Sequence, residues 1–274
     1  MTAVSERPAL AARGIPSVVG AYVALTKPKL VELLLVTTLP AMMLAADGWP
    51  SWRLVVATMV GGMFAAGAAN TFNCWYDRDI DRLMSRTRDR PIPSGAVSPR
   101  AALVFGLALG AASLTILWLE TTPLATALAA VAILAYSVVY TMVLKRRTRH
   151  NTVFGAFPGA APVLIGWAAV TGSLAWPAAV FFGVVFCWQL PHFWALAMRF
   201  RADYARAEVP MLPVVTTARS VGRQMVAWSW ATVVVSLLLW VLMPKGPDHT
   251  PGPLDPAIDR LHSALDGALS SARR

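Results

Sequence analysis

The sequence predicts an all-α, polytopic transmembrane helix bundle, and three observations carry that prediction. Seven apolar stretches are each long enough to cross, or nearly cross, a hydrocarbon layer about 30 Å thick. Charged residues make up 14% of the 274-residue chain against 57% hydrophobic ones, well under the roughly 25% charge of an ordinary soluble domain. Lysine and arginine, moreover, collect in alternate connections.

Taken in order, residues 1–17 are polar with Pro and Gly and read as a mobile N-terminus. Residues 18–243 form the transmembrane domain. Its apolar stretches fall at 30–46, with a start reaching back towards Val18, then 54–76, 101–119, 124–144, 153–170, 178–198 and 225–243. A short apolar core followed by a small-residue cleavage site is lacking at the start, so the first stretch reads as a retained helix. Residues 244–274 make an atypical tail. A Pro- and Gly-rich loop leads there into one short amphipathic helix over 254–272, with Leu254, Ile258, Leu261, Leu265 and Leu269 at helical spacing.

Orientation follows from the charge. Four basic residues precede residue 30, six lie in 77–100, four in 145–149 and five in 199–223. The short connections 47–53, 120–123 and 171–177 hold one, Arg53. By the positive-inside rule the N-terminus and the long connections face the cytoplasm. The net charge of +10 is therefore a topology signal, and it argues against a nucleic-acid partner. Cys74 and Cys187 lie in apolar runs with no disulfide or metal-ligand spacing, and read as small buried residues.

Chemistry concentrates in residues 70–95. On a helix turning about 100° per residue, Asn70, Asn73, Asp77 and Asp81 fall within roughly 80° of one another, and Asp79 faces away. Like charges at i,i+4 repel, so Asp77 and Asp81 call for a cation. A divalent metal suits them: Mg²⁺ keeps several waters and bridges one or two carboxylates to substrate phosphates. The bland alternative is a solvated helix end whose acids pair with Arg78 and Arg82. Arg90, before Pro-Ile-Pro-Ser-Gly95, sits on a stiffened turn that suits a phosphate clamp, or it is one more positive-inside arginine.

Two further stretches join it. Tyr136 to Asn151 ends an apolar run in Lys145-Arg-Arg-Thr-Arg, a cluster that the helix dipole alone also favours. Gln189 and His192 are polar groups inside a span, which face a bundle interior and mark a pathway or a site unless they are satisfied core residues. Asp203 leaves its span as Asp81 does, ahead of a basic loop, which points to two related halves sharing one site. Together these features predict a cytoplasmic-face site for a metal-bound polyanion above an apolar cavity. The ligand they fit has a diphosphate head and a hydrocarbon tail.

At these residues the chain resembles the intramembrane prenyltransferases of the UbiA superfamily. Asn73-x3-Asp77-x3-Asp81 matches that family's first aspartate motif. The longer run Asn73 to Thr87, continuing to Arg90-Pro-Ile-Pro-Ser-Gly95, is similar to its heme-farnesylating branch. So are Tyr140-Thr-x3-Lys145-Arg, Ala161 to Gly172, Pro191-His192-Phe193, Asp203-Tyr204 and Pro210-Met-Leu-Pro, while Lys27-Pro28-Lys29 resembles the basic opening of the first span. The resemblance implies transfer of a farnesyl group from farnesyl diphosphate to a vinyl group of heme b, giving heme O for terminal oxidases. It implies Mg²⁺ as cofactor, held with diphosphate by Asn73, Asp77, Asp81 and Asp203. Lys145 and Arg90 would clamp phosphate, Asn70, Tyr140 and Lys29 would line the substrate site, and His192 would lie against the porphyrin iron or a propionate. It places the chain in the plasma (inner) membrane, with the lipid bilayer around it and heme A synthase or terminal oxidase assembly as protein partners.

Two features depart from the family pattern. Where its second motif often has another Asp, this chain has Ala207, with Glu208 next. The family has nine spans and seven are readable here. Two other functions share the residues: a sister enzyme prenylating a quinone precursor or chlorin, and a non-catalytic membrane carrier.

Overall fold

The computed structural model describes residues 17–242 together with 259, 260, 263 and 264. The predicted N-terminal segment and most of the predicted tail lie outside the described residues. Among the described residues, seven helices are long and apolar enough to cross a membrane.

The elements are α1 (Val18–Thr26), α2 (Pro28–Ala46), α3 (Trp52–Tyr76), α4 (Arg78–Leu83), α5 (Pro99–Glu120), α6 (Pro123–Leu134), α7 (Asn151–Thr171), α8 (Trp176–Arg199), α9 (Arg201–Arg206), α10 (Leu212–Val215) and α11 (Ala218–Leu242). Local sequence sets several of their starts. Ser51, Ser98 and Thr122 cap α3, α5 and α6 by accepting from the backbone N–H three residues on, and Pro99 and Pro123 occupy first-turn positions that need no N–H. Gly172, with φ +67°, ends α7 in the left-handed conformation that glycine adopts without strain.

Small residues let the spans approach closely, the usual device where lipid offers no hydrophobic drive between helices. α3 lies along α5. A Cβ at Gly61 would strike Leu117, one at Gly106 would strike Phe72, and Ser113 donates to the Gly61 carbonyl at 2.7 Å. α2 packs on α7, α7 on α6 and α8, and α8 on α11. At the end with the short connections, Arg53 and Glu120 pair at 2.7 Å, and Trp49, Trp52 and Trp118 are exposed as an aromatic belt is.

Three features differ from the sequence reading. The first span breaks: Lys27 takes φ +54° between α1 and α2, because Pro28 disfavours helical geometry in the residue before it. The last span begins at Ala218 and not at 225, its first turns carrying Arg219 and Arg223. α6 runs on as a π-helix over Ala135–Leu144, with the Lys145 N–H bonded to the Tyr140 carbonyl at 2.8 Å. Its wider turn stacks residues four to five apart, which puts Tyr136, Tyr140 or Thr141, and Lys145 in one row. Both cysteines are buried and free, as expected.

Candidate active site

The end of the bundle with the long, basic connections opens into a cavity of about 710 Å³, a size usual for small-molecule sites. Its floor is apolar, with Leu33, Leu34, Ala65, Ile133, Ile165 and Val185 among its walls. Its charged lining is Lys27, Lys29, Arg86, Arg90 and Lys145 against one acid, Asp81. Five cations to one anion favour an anionic head group with an apolar tail below it. Eight of the predicted residues line this space: Lys29, Asn70, Asn73, Asp81, Arg90, Tyr140, Lys145 and His192. Asp77 and Asp203 do not. They stand one layer behind the wall, each buried and held by its own partners.

The α3 end supplies the centre. Asn73 links three elements: its Oδ1 accepts from Lys27 Nζ at 2.7 Å, and its amide donates to Asp77 at 2.7 Å and to Thr141 at 3.3 Å. Asp77, with 0% exposure, pairs with Lys145 and, at 3.3 Å, with Arg146. Asn70 donates to the Thr26 carbonyl at 3.0 Å and so fixes the α1–α2 break against α3. One turn on, Asp81 is held by Arg90, and the Thr87 hydroxyl donates to its backbone carbonyl at 3.0 Å. The backbone N–H of Asp81 still bonds the Asp77 carbonyl, so the predicted common face survives the change of helix at Asp77.

These pairings were only partly legible. Arg78 and Arg82 were the sequence candidates for partners; Arg78 instead donates to the Trp75 carbonyl and lies over that ring. Lys145 and Arg146 reach Asp77 and Asp79 across 67 to 69 residues, whereas Arg90 reaches Asp81 from nine residues on. Asp79 points outward as predicted, and Arg146, bonding it at 2.6 and 2.7 Å, pulls its pKa down to about 2. Lys27 was the missed residue. Burial, with Arg90 and Lys145 nearby, lowers its pKa to about 8 although Cys74 and Asp81 oppose the shift. Burial also works against Lys145 and Arg90, but Asp77 and Asp81 hold both cations above their ordinary values.

The second acidic exit meets the first through a loop. Ser85 Oγ donates to both oxygens of Asp203 at 3.0 and 2.8 Å, Arg86 N donates at 3.3 Å, and Arg206 pairs with the same carboxylate. Burial pushes the Asp203 carboxyl up, and those donors outweigh it, leaving it below the usual range. Gln189 spends its amide on the Ala156 and Val185 carbonyls while lining the cavity. His192 stacks on Trp188, with centroids 5.0 Å apart and planes 14° apart.

A helical membrane bundle whose apolar cavity is closed at one end by cations and paired carboxylates defines an intramembrane protein built for an amphiphilic polyanion. The comparisons make this specific. Residues 34–250 match the UbiA prenyltransferase family, and the chain belongs to it. It is 56% identical over 232 residues to the protoheme IX farnesyltransferase of a Nocardioides species, covering 85% of this chain and 74% of that protein. To the protoheme IX farnesyltransferase of Salinispora tropica it is 57% identical over 230 residues, 84% and 72% of the two chains. A UbiA homologue from Archaeoglobus fulgidus, solved bound to GPP and Mg²⁺, shares the fold with a TM-score of 0.65 and 18% identity, over 92% of this chain and 87% of that one.

Proposed function

We propose that the protein transfers a farnesyl group from farnesyl diphosphate to a vinyl group of heme b, releasing diphosphate and giving heme O. The observation that carries this reading is the cavity itself. Four basic side chains, Lys27, Lys29, Arg90 and Lys145, line the same space as an apolar floor, and that space is large enough for an isoprenoid. The two protoheme IX farnesyltransferases, more than half identical to this chain, support the choice of acceptor.

The donor set fits Mg²⁺ that arrives with diphosphate. Among the described residues no three His, Cys, Asp or Glu side chains stand close enough to cage an ion. Asp81 and Asn73, which carry hard oxygens, line the cavity with Asp77 behind them, and Mg²⁺ commonly needs only one or two carboxylates beside phosphate and water. Asn73, Asp77 and Asp81 would hold it; Asp203 belongs to the same acidic layer. The metal would neutralise charge on the departing diphosphate.

The chain's own residues do the rest. Arg90 and Lys145 bind the phosphate oxygens, with Lys27 and Lys29 lining the same cavity. Asn70 keeps the α1–α2 break in place, and Tyr140 lines the cavity. As the donor C1–O bond breaks, diphosphate takes the electron pair and the apolar floor keeps water from the allylic cation. C1 then bonds the vinyl carbon, and water adds to the cation left on the porphyrin side chain, losing one proton to solvent to leave a hydroxyl. The positive-inside pattern supports a site facing the cytoplasm across a plasma membrane, and heme O would pass to heme A synthase or to terminal oxidase assembly.

Diphosphate release, measured with Mg²⁺ and farnesyl diphosphate while heme b, a quinone precursor and a chlorin are offered in turn, tests the proposal. Release with heme b is the expected result. Release only with another acceptor would replace heme b by that acceptor, and none with any would favour a carrier.

A further inference from the structure

Arg86 is a cavity-lining cation that the reaction described above does not use. Arg90, Lys145, Arg146 and Arg206 each pair with a carboxylate, whereas among the described residues Arg86 has none. Its guanidinium lies 5.1 Å over the Phe200 ring and donates one hydrogen bond, at 3.4 Å, to the Tyr204 hydroxyl. An arginine has five N–H donors in a rigid fork, so most of this fork is open for a ligand. Tyr204 lines the same cavity.

What holds Arg86 there is Asp203. This carboxylate accepts from the Ser85 hydroxyl, the Arg86 backbone N–H and the Arg206 guanidinium, and Arg206 also reaches the Leu83 carbonyl at 3.4 Å. Residues 83–86 are thereby clasped to α9. Beneath the clasp, Ile80 and Met84 pack with Ala197, Ala207 and Val209. With Ala207 apolar and packed in that cluster, the position where a second acid often stands contributes to holding the loop down.

We propose that Arg86 is a second anion receptor at the cavity mouth, taking the carboxylates of the porphyrin acceptor. The assignment rests on the reading of heme b as acceptor. Heme b carries two propionates along one edge and its vinyl groups away from that edge. Burying the propionates without a cation would be costly. A fork at the rim keeps that edge at the aqueous boundary and turns the vinyl edge inward, on the α8–α9 side where Phe193 and Met211 also line the cavity.

The test uses the full chain in detergent. Heme b and its dimethyl ester are titrated by the Soret band, and diphosphate with Mg²⁺ by calorimetry, for the wild type, Arg86→Gln and Ser85→Ala. Arg86→Gln should weaken heme b binding about tenfold, leave the ester as tight as in the wild type and leave diphosphate unchanged. Ser85→Ala, which loosens the loop that carries Arg86, should show the same heme-selective loss. Heme b bound equally by wild type and Arg86→Gln would overturn the proposal, as would a loss confined to diphosphate. A wild type that binds diphosphate but no heme would instead sink the acceptor reading itself.

Discussion

Asp81 receives both hydrogen bonds of its ion pair from a single nitrogen, Nη1 of Arg90, at 2.9 and 2.8 Å. The carboxylate is 2% exposed and lies on the cavity wall, while Arg90 comes from the turn nine residues further on. A buried carboxylate stripped of its partner keeps its desolvation cost and loses the compensation. Arg90→Ala should therefore lower stability by about 3 kcal/mol, read by denaturant unfolding in detergent. Adding Asp81→Asn removes the orphaned charge and should restore most of it; a double variant no better than the single one would contradict this pairing.

Asp77 separates an enzyme from a carrier. It stands behind the cavity wall and fixes Asn73 and Lys145, which line the cavity. Asp77→Asn should cut Mg²⁺-dependent diphosphate release by roughly a hundredfold or more, the scale of losing one pre-organised electrostatic group. A carrier would release none even as wild type.

Lys27 should give the protein a signature in alkali. Its folded pKa of about 8 lies below the ordinary lysine value of 10.5 because burial penalises the charged form. Between those values the unfolded chain binds more protons than the folded one, so stability should rise with pH across that window and level off on either side. Diphosphate binding should move the other way, weakening as pH rises through about 8. Lys27→Met should flatten both profiles, and an unchanged binding profile would remove Lys27 from the head-group site.

Gly166 tests the α2–α7 contact on which one wall of the cavity depends. A Cβ there would lie 2.8 Å from the Thr38 backbone carbonyl oxygen, which cannot rotate away. Gly166→Ala should cost about 1–3 kcal/mol through overpacking, seen as a lower midpoint in thermal unfolding. Gly222→Ala, where no atom lies within 4 Å of the added carbon, is the control.

The spans were legible because lipid makes hydropathy nearly decisive: the stretch read as 54–76 is Trp52–Tyr76, and 178–198 is Trp176–Arg199. The first acidic motif was legible because helical periodicity puts Asn70, Asn73, Asp77 and Asp81 on one face whatever they bind. Pairing was not legible. Arg146 with Asp79, and Ser85 with Asp203, are brought together across 67 and 118 residues by packing that local sequence does not encode. The π-helical end of α6 also has no periodic signal, since its residues are as apolar as an α-helix there would be. Lys27 did leave a trace that points to it: the Pro that follows breaks the helix and turns this lysine, alongside Lys29, into the site.

The central claim is the transfer reaction. Purified protein incubated with Mg²⁺, heme b and farnesyl diphosphate is to be extracted, and its hemes separated by chromatography and weighed by mass spectrometry. The account predicts a heavier, more apolar heme formed in step with released diphosphate and absent without Mg²⁺. Heme b recovered unchanged, beside protein that still binds farnesyl diphosphate, would contradict it.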